Sequence, residues 1–243
     1  MAEAFAWAFA AALSLVVGGV IALIWNIGQR ALGLTMAFGA GVLISAVAYE
    51  LIGEAIAGAE KHIVVALGLA AGAITFYMGD RLIDRMGGAD RKSVKSGDGS
   101  GSSMAIVLGI VLDGIPESIV IGLTLLGGGS MELALVAAVF LSNVPESIAA
   151  TVGLRGRGWT GARVTGLWLG VATLSGLAAL IGYAVLGGAS SGAVALVNAF
   201  AAGAIITMLV DTMIPEAYEH ARMEAGLATT LGFGVAVAIS ALT

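Results

Sequence analysis

The chemistry in this chain sits in two short stretches, "LDGIPESIVIG" at 112–122 and "LSNVPESIAAT" at 141–151. Each sets polar side chains around a P-E-S triplet inside an otherwise apolar run. In the first, Asp113 and Glu117 are four residues apart, so on a helix they project from one face. In the second, Ser142 and Glu146 have the same spacing, with Asn143 beside them. Two such faces meeting between neighbouring helices would bring carboxylates and neutral oxygen donors together at low dielectric. Carboxylates held that way repel one another and either bind protons or recruit a cation. A divalent metal suits four or five hard oxygens, here Asp113, Glu117, Ser142, Asn143 and Glu146. Pro116 and Pro145 lack the N–H that would bond the carbonyls of Leu112 and Leu141, so each helix is expected to kink and to free a backbone acceptor at the same depth. The plainer reading is that these positions only bond helices together. Serine and asparagine serve that role cheaply, but two glutamates and an aspartate do not.

The elements that must position these residues are membrane helices. Hydrophobic residues make up 59% of the chain and charged ones 11%, with 37 glycines and a mean hydropathy of +1.02, which is the usage of membrane spans. There is no cysteine, hence no disulfide and no thiolate site. The formal charge of -5 offers no basic surface, so no nucleic-acid partner is expected. The opening "MAEAFAWAFAAALSLVVGGVIALIW" has no positive leader and runs past signal-peptide length, which makes it a first span. Apolar runs predict eight spans, at about 5–25, 34–54, 62–80, 104–126, 132–153, 163–186, 193–217 and 226–243. The expectation is therefore an all-α polytopic membrane protein, one transmembrane domain over 1–243, with a glycine- and serine-rich cytoplasmic loop at 81–103.

Charge sets the orientation. With the N-terminus outside, ten of the 11 basic residues fall on the inner side and only Lys61 outside. Both termini are then extracytoplasmic, in an inner or plasma membrane. "AFGAGVLISAVAYELIGEA" at 37–55 aligns with "AFAAGAIITMLVDTMIPEA" at 199–217, matching Phe38 with Phe200, Gly41 with Gly203 and Glu54 with Glu216. The second span would run outward and the seventh inward, so the match reads as a pseudo-repeat of inverted topology, a pattern found in transporters.

These motifs resemble the ZIP (Zrt/Irt-like protein) family of divalent metal transporters. That family has eight spans with both termini outside, a long cytoplasmic loop after the third, and H-N-x-P-E-G and related motifs in the fourth and fifth. The resemblance implies transport of zinc, manganese, iron, cobalt or cadmium as substrate, with no resident cofactor. By position, the first motif's histidine, asparagine and glutamate fall on Asp113, Gly114 and Glu117, and the second motif's ligands on Ser142, Asn143 and Glu146. The segment "LSGLAALIGY" at 174–183 resembles a sixth-span stretch in which S-G-L-A precedes E-P, with Ala179 and Leu180 in those two places. With no midplane histidine, the ligand set shifts towards oxygen alone and the preference for zinc over manganese or ferrous iron weakens.

Other acidic groups suggest a path. Glu50 and Glu54 end the second span and are candidates for an outer funnel; a solvated helix end is the alternative. Asp211, Glu216, Glu219 and His220 lie towards the inner end of the seventh span as a candidate exit relay, with Pro215 freeing the carbonyl of Asp211. His62 beside Lys61 reads as interfacial, and Met131, Met208 and Met213 as lipid-facing or packing residues. No phosphate-binding loop, H-E-x-x-H motif or activated serine is present, so an enzyme is not expected. The expected partners are metal ions and the lipid bilayer, with a homodimer possible. A proton-coupled carrier of another small solute, and a non-transporting sensor or scaffold, remain alternatives.

Overall fold

The computed structural model describes residues 1–88, 103–126 and 133–242. All of its regular structure is helical. Helix α1 spans Ala2–Ile24 and α2 spans Gln29–Ala46, which continues through a π-helical turn at Val47–Leu51 into α3, Ile52–Gly58. Helix α4, His62–Ile83, ends in a second π turn at Asp84–Gly88. Then follow α5 (Ser103–Leu123), α6 (Leu133–Gly156) and α7 (Gly161–Leu186). Helix α8, Ser191–Met208, passes through a π turn at Leu209–Met213 into α9, Ile214–Ala221, and α10 is Glu224–Ser240. In lipid only a helix satisfies its own backbone along its whole length, so a chain this apolar has little else to form. Seven of these segments are long and apolar enough to cross a bilayer; α10, with 17 residues, is shorter. At 1.5 Å per residue it reaches about 25 Å, somewhat less than a hydrocarbon core. The chain is a multi-pass membrane protein.

The observed boundaries differ from the expected ones mainly at the polar ends. The loop expected at 81–103 is helical over 81–88 and again at Ser103. The Arg81 guanidinium bonds the Tyr77 hydroxyl and lies 5.7 Å from the ring centroid, so polar residues carry the helix beyond its apolar run. Residues 89–102, with Arg91, Lys92, Lys95 and Ser96, lie outside the described residues, as do 127–132 with Met131. Pro116 and Pro145 sit inside α5 and α6, whose helical course continues past them. Regular α-helix gives way to π turns after α2 and α8, as it does at the end of α4.

Helix direction can be read from the contacts. Arg30, at the start of α2, pairs with Glu224 at the start of α10, and Ser240 at the end of α10 donates to Glu50 Oε1 at 2.9 Å. The two helices therefore run parallel. Glycines bring them together: a Cβ built on Gly41 would overlap the carbonyl of Thr229, and one on Gly232 the carbonyl of Phe38. Helices α4 and α8 meet in the same manner, with Gly72 against the carbonyl of Phe200 and Gly203 against that of Leu69. Lipid supplies no hydrophobic drive between helices, so close backbone approach and its dispersion contacts must hold them. Against α1 stand α6, through Gly18, and α7, through Gly19 and the indole of Trp168; Gly122 of α5 meets the carbonyl of Ala179 in α7. Trp168 is fully buried and donates its Nε1–H to Thr151 Oγ1 at 2.9 Å, tying α7 to α6.

The protein has its apolar side outward. Helix α4 turns Ile63, Leu67, Ile74, Met78 and Leu82 away from the bundle, while Asp113, Glu117, Ser142, Asn143, Glu146 and Ser175 are buried. This is the distribution expected of a molecule surrounded by lipid around a polar interior. The charge bias makes a test of topology simple in a chain without cysteine. Cysteines introduced singly at Ser96 and Ser191 are expected to react with an impermeant thiol reagent from opposite faces of the membrane, 96 from the cytoplasm. Labelling of both from one face would overturn the eight-crossing arrangement.

Candidate metal centre

Helices α5, α6 and α7, with α1 behind them, enclose a small cavity. Its lining includes Gly114, Glu117 and Ser118 from α5, Asn143 and Glu146 from α6, and Ser175 from α7. The space is about 10 Å³, enough for the centre of roughly one water-sized particle. Ala12, Leu15, Ile110 and Val139 form the rest of the wall. A polar pocket thus sits inside an apolar jacket, where an electrostatic interaction is worth far more than at a surface.

Each polar group has a helical reason for its position. On α5, Ile110, Gly114, Glu117 and Ser118 follow the i, i+4, i+7, i+8 pattern of one helix face; on α6, Val139, Asn143 and Glu146 do the same. The observed faces are therefore turned by one residue from those expected from the Asp113–Glu117 and Ser142–Glu146 spacings. Glu117 and Glu146 belong to both faces and are 3% and 5% exposed. Asp113 is equally buried, but it is not among the residues lining this cavity. Ser142 is absent from the lining too, and its hydroxyl donates to the carbonyl of Val139 at 3.0 Å. Such back-bonding is the ordinary use of a helical serine. Asn143 differs: its amide makes no hydrogen bond to another described residue, and it faces the cavity.

Two cavity residues were not singled out as ligand candidates by sequence reasoning. Ser118 belongs to the first P-E-S triplet, and its hydroxyl donates to the carbonyl of Gly114 at 2.6 Å. Ser175 lies in a helix distant in sequence, and only the packing of α7 on α5 brings it to the site. Among the described residues no group of three or more histidine, aspartate or glutamate side chains is placed to hold a metal ion. Any ion here would rest on two carboxylates and neutral oxygens.

The remaining candidates lie on α2, α3 and the α8–α9 segment. Glu54 Oε2 accepts from Asn198 Nδ2 at 3.0 Å, and Glu50 accepts from Ser240, so both acidic groups of the expected outer funnel are tied to neighbouring helices. Asn198 is a buried partner that sequence reasoning missed; a lone asparagine among alanines carries no periodic signal. Asp211 lies in the π turn of α8 and is exposed, as is Glu219, whereas Glu216 and His220 are half-buried on α9. His220 packs its Cβ side against α2, where a Cβ on Gly33 would come within 2.6 Å of it. Pro215 falls in the first turn of α9, directly after the π turn. Its counterpart by the internal alignment is Gly53, yet α2 has the same π turn, so proline is not what makes it. A wider groove of about 610 Å³ between α2, α6 and α10, lined by Leu34, Phe38, Leu141, Leu227 and Leu231, is almost wholly apolar and suits lipid rather than an ion.

No protein-family model matches this chain, and no curated protein is a significant match to it.

Proposed function

We propose that this protein moves divalent transition-metal ions across the membrane, with the cavity between α5, α6 and α7 as the transported ion's binding site. The observation that carries the reading is the convergence of Glu117, Glu146 and the uncommitted Asn143 amide on an enclosed space of about 10 Å³. Two carboxylates balance the charge of one divalent ion, which offsets much of the cost of stripping its water. The space suits a bare ion or one water and is too small for an organic solute, which favours a metal over the small-solute alternative. An amide oxygen adds a neutral donor of the kind hard cations accept.

The arrangement we propose is ZIP-like, with two inverted halves. Its support is a set of correspondences between helices. The alignment that sets Phe38 against Phe200 also sets the π turn at Val47–Leu51 against that at Leu209–Met213. It likewise pairs Gly41 with Gly203, each pressed on a carbonyl of its partner helix. Gly58 meets Ala195 where His220 meets Gly33, the same contact with the halves exchanged. A fortuitous likeness between alanine- and glycine-rich helices would not be expected to place π turns and cross-helix contacts in register. π turns are frequent at functional sites, which suits helices that shift during transport.

The test is radiometal uptake into proteoliposomes, with zinc, manganese, ferrous iron, cobalt and cadmium compared side by side. Uptake of at least one ion above protein-free vesicles is expected; uptake of none by folded, inserted protein would refute the reading and leave a sensor or scaffold. With oxygen donors alone, manganese, iron and cobalt should be carried within roughly tenfold of zinc, since affinity order by itself favours zinc only modestly. Competition in which zinc beats manganese by several orders of magnitude would exclude an oxygen-only site. Carboxylates must be deprotonated to bind, so uptake at a fixed metal gradient should fall as pH falls.

A further inference from the structure

We infer that Ser175, from α7, is a ligand of the transported ion, making the site a three-helix centre of two carboxylates and two neutral oxygens: Glu117, Glu146, Asn143 and Ser175. This rests on the reading of the cavity as an ion site and specifies its chemistry. Three observations support it. Ser175 lines the same cavity as the two glutamates and is 8% exposed. A Cβ placed on Gly114 would lie 3.9 Å from Ser175 Oγ, so the hydroxyl points at the gap that the side-chain-free Gly114 leaves in the α5 face. Its hydroxyl is also uncommitted. Ser118, Ser142 and Ser147 spend theirs on carbonyls of their own helices, and so does Thr173 on α7 itself, bonding Leu169. Ser175 makes no hydrogen bond to any described residue.

A helical serine normally turns its hydroxyl back onto a carbonyl of its own helix. That Ser175 does not is explained if its partner is a guest in the cavity. A second gap of about 30 Å³, lined by Val111, Ile115, Leu174 and Ala178, shares Gly114, Ser118 and Ser175 with the first. Ser175 therefore stands where the polar cavity meets an apolar space between α5 and α7, and closes the ion's coordination on the side where α5 contributes no side chain. With two anionic and two neutral donors, a bound divalent ion leaves the site electrically neutral.

The absence of native cysteine permits a test of ligand identity rather than of structure alone. Manganese and cadmium binding to the purified full-length protein would be measured by equilibrium dialysis for wild type, Ser175→Ala, Ser175→Cys and Thr173→Ala. Ser175→Ala is expected to weaken both ions by about fivefold, the typical value of one neutral hydrogen-bond-strength contact. Ser175→Cys, which offers a soft donor at the same place, is expected to raise the cadmium-to-manganese affinity ratio at least tenfold. Thr173→Ala should match wild type. A merely structural serine would give no such inversion of preference. If Ser175→Cys elutes as a folded monodisperse species and its cadmium-to-manganese ratio is that of wild type, Ser175 is not a ligand, while retained wild-type binding abolished by Glu117→Gln would leave the ion site standing. If wild type binds neither ion, both readings fall.

Discussion

Glu117→Gln and Glu146→Gln are each expected to weaken metal binding by roughly a hundredfold or more and to bring uptake to background. Each substitution keeps the shape and most of the packing of the side chain but removes half of the negative charge facing the ion. Leaving an ionic group uncompensated in a buried setting costs about 3–5 kcal/mol, which corresponds to roughly a hundredfold to a few thousandfold in affinity. The other positions should follow the geometry of the cavity. Asn143→Ala removes a neutral donor from the wall and ranks next; Asp113→Asn acts from outside the lining and ranks below it. Ser142→Ala should do least, because that hydroxyl is already used by Val139. Helix misassembly would mimic loss of transport, so each variant must first be shown to insert and to elute as wild type does. Intact Glu117→Gln and Glu146→Gln proteins that carry metal at wild-type rates would reduce the paired P-E-S triplets to packing features, and the proposed site would be wrong.

The second large effect concerns assembly. Gly41→Ala, Gly232→Ala, Gly72→Ala and Gly203→Ala each add a methyl group where the carbonyl of a neighbouring helix already lies, so the helices must part. Overpacking of this kind costs about 1–3 kcal/mol, or about 2–4 °C in Tm per kcal/mol for a chain of this size. Gly166→Ala and Gly226→Ala are the controls. Both lie in helices with nothing within 4 Å of the added atom, so only the better helix propensity of alanine acts and Tm should hold or rise slightly. Thermal unfolding of the six variants in detergent decides between packing and propensity. The proposed inverted halves add a stricter requirement: losses at Gly41 and Gly203 should be similar, as should those at Gly232 and Gly72. Equal stability of all six variants would mean that these helix pairs relax freely and that the shared glycines have no structural meaning.

Much of the architecture was legible because a bilayer imposes rules that sequence obeys locally. A run of about 20 apolar residues has few structures open to it, so the helices of the described residues fall within a few residues of the expected spans. Disagreement gathers at span ends, as at 81–88, where polar side chains continue a helix into the interface without any change in the apolar signal. The π turns were not legible. Val47–Leu51 and Leu209–Met213 have no shared residue code beyond a weak alignment, and the one nearby proline, Pro215, has glycine at the matching place in α2. A widened turn costs backbone energy that packing must repay, here of Val47–Leu51 against α8 and of Leu209–Met213 against α2, and neighbours distant in sequence leave no local trace.

For the candidate site the division is similar. The sequence by itself determined that Glu117 and Glu146 are buried at corresponding places in two apolar helices, because a carboxylate flanked on both sides by hydrocarbon-length apolar segments has no other depth to occupy. It also put Asn143 beside the second glutamate. Only the tertiary structure decided which edge of each helix faces the other. Rotation of a helix about its axis is set by contacts such as Gly18 on α6 and Gly122 on α7, and i+3 and i+4 spacings are both compatible with a shared face. That rotation turned Asp113 and Ser142 off the cavity wall and Gly114 onto it. It also brought in Ser175 from a helix more than fifty positions along the chain from Glu117, a juxtaposition that depends on how α7 crosses α5 and not on the residues near either one.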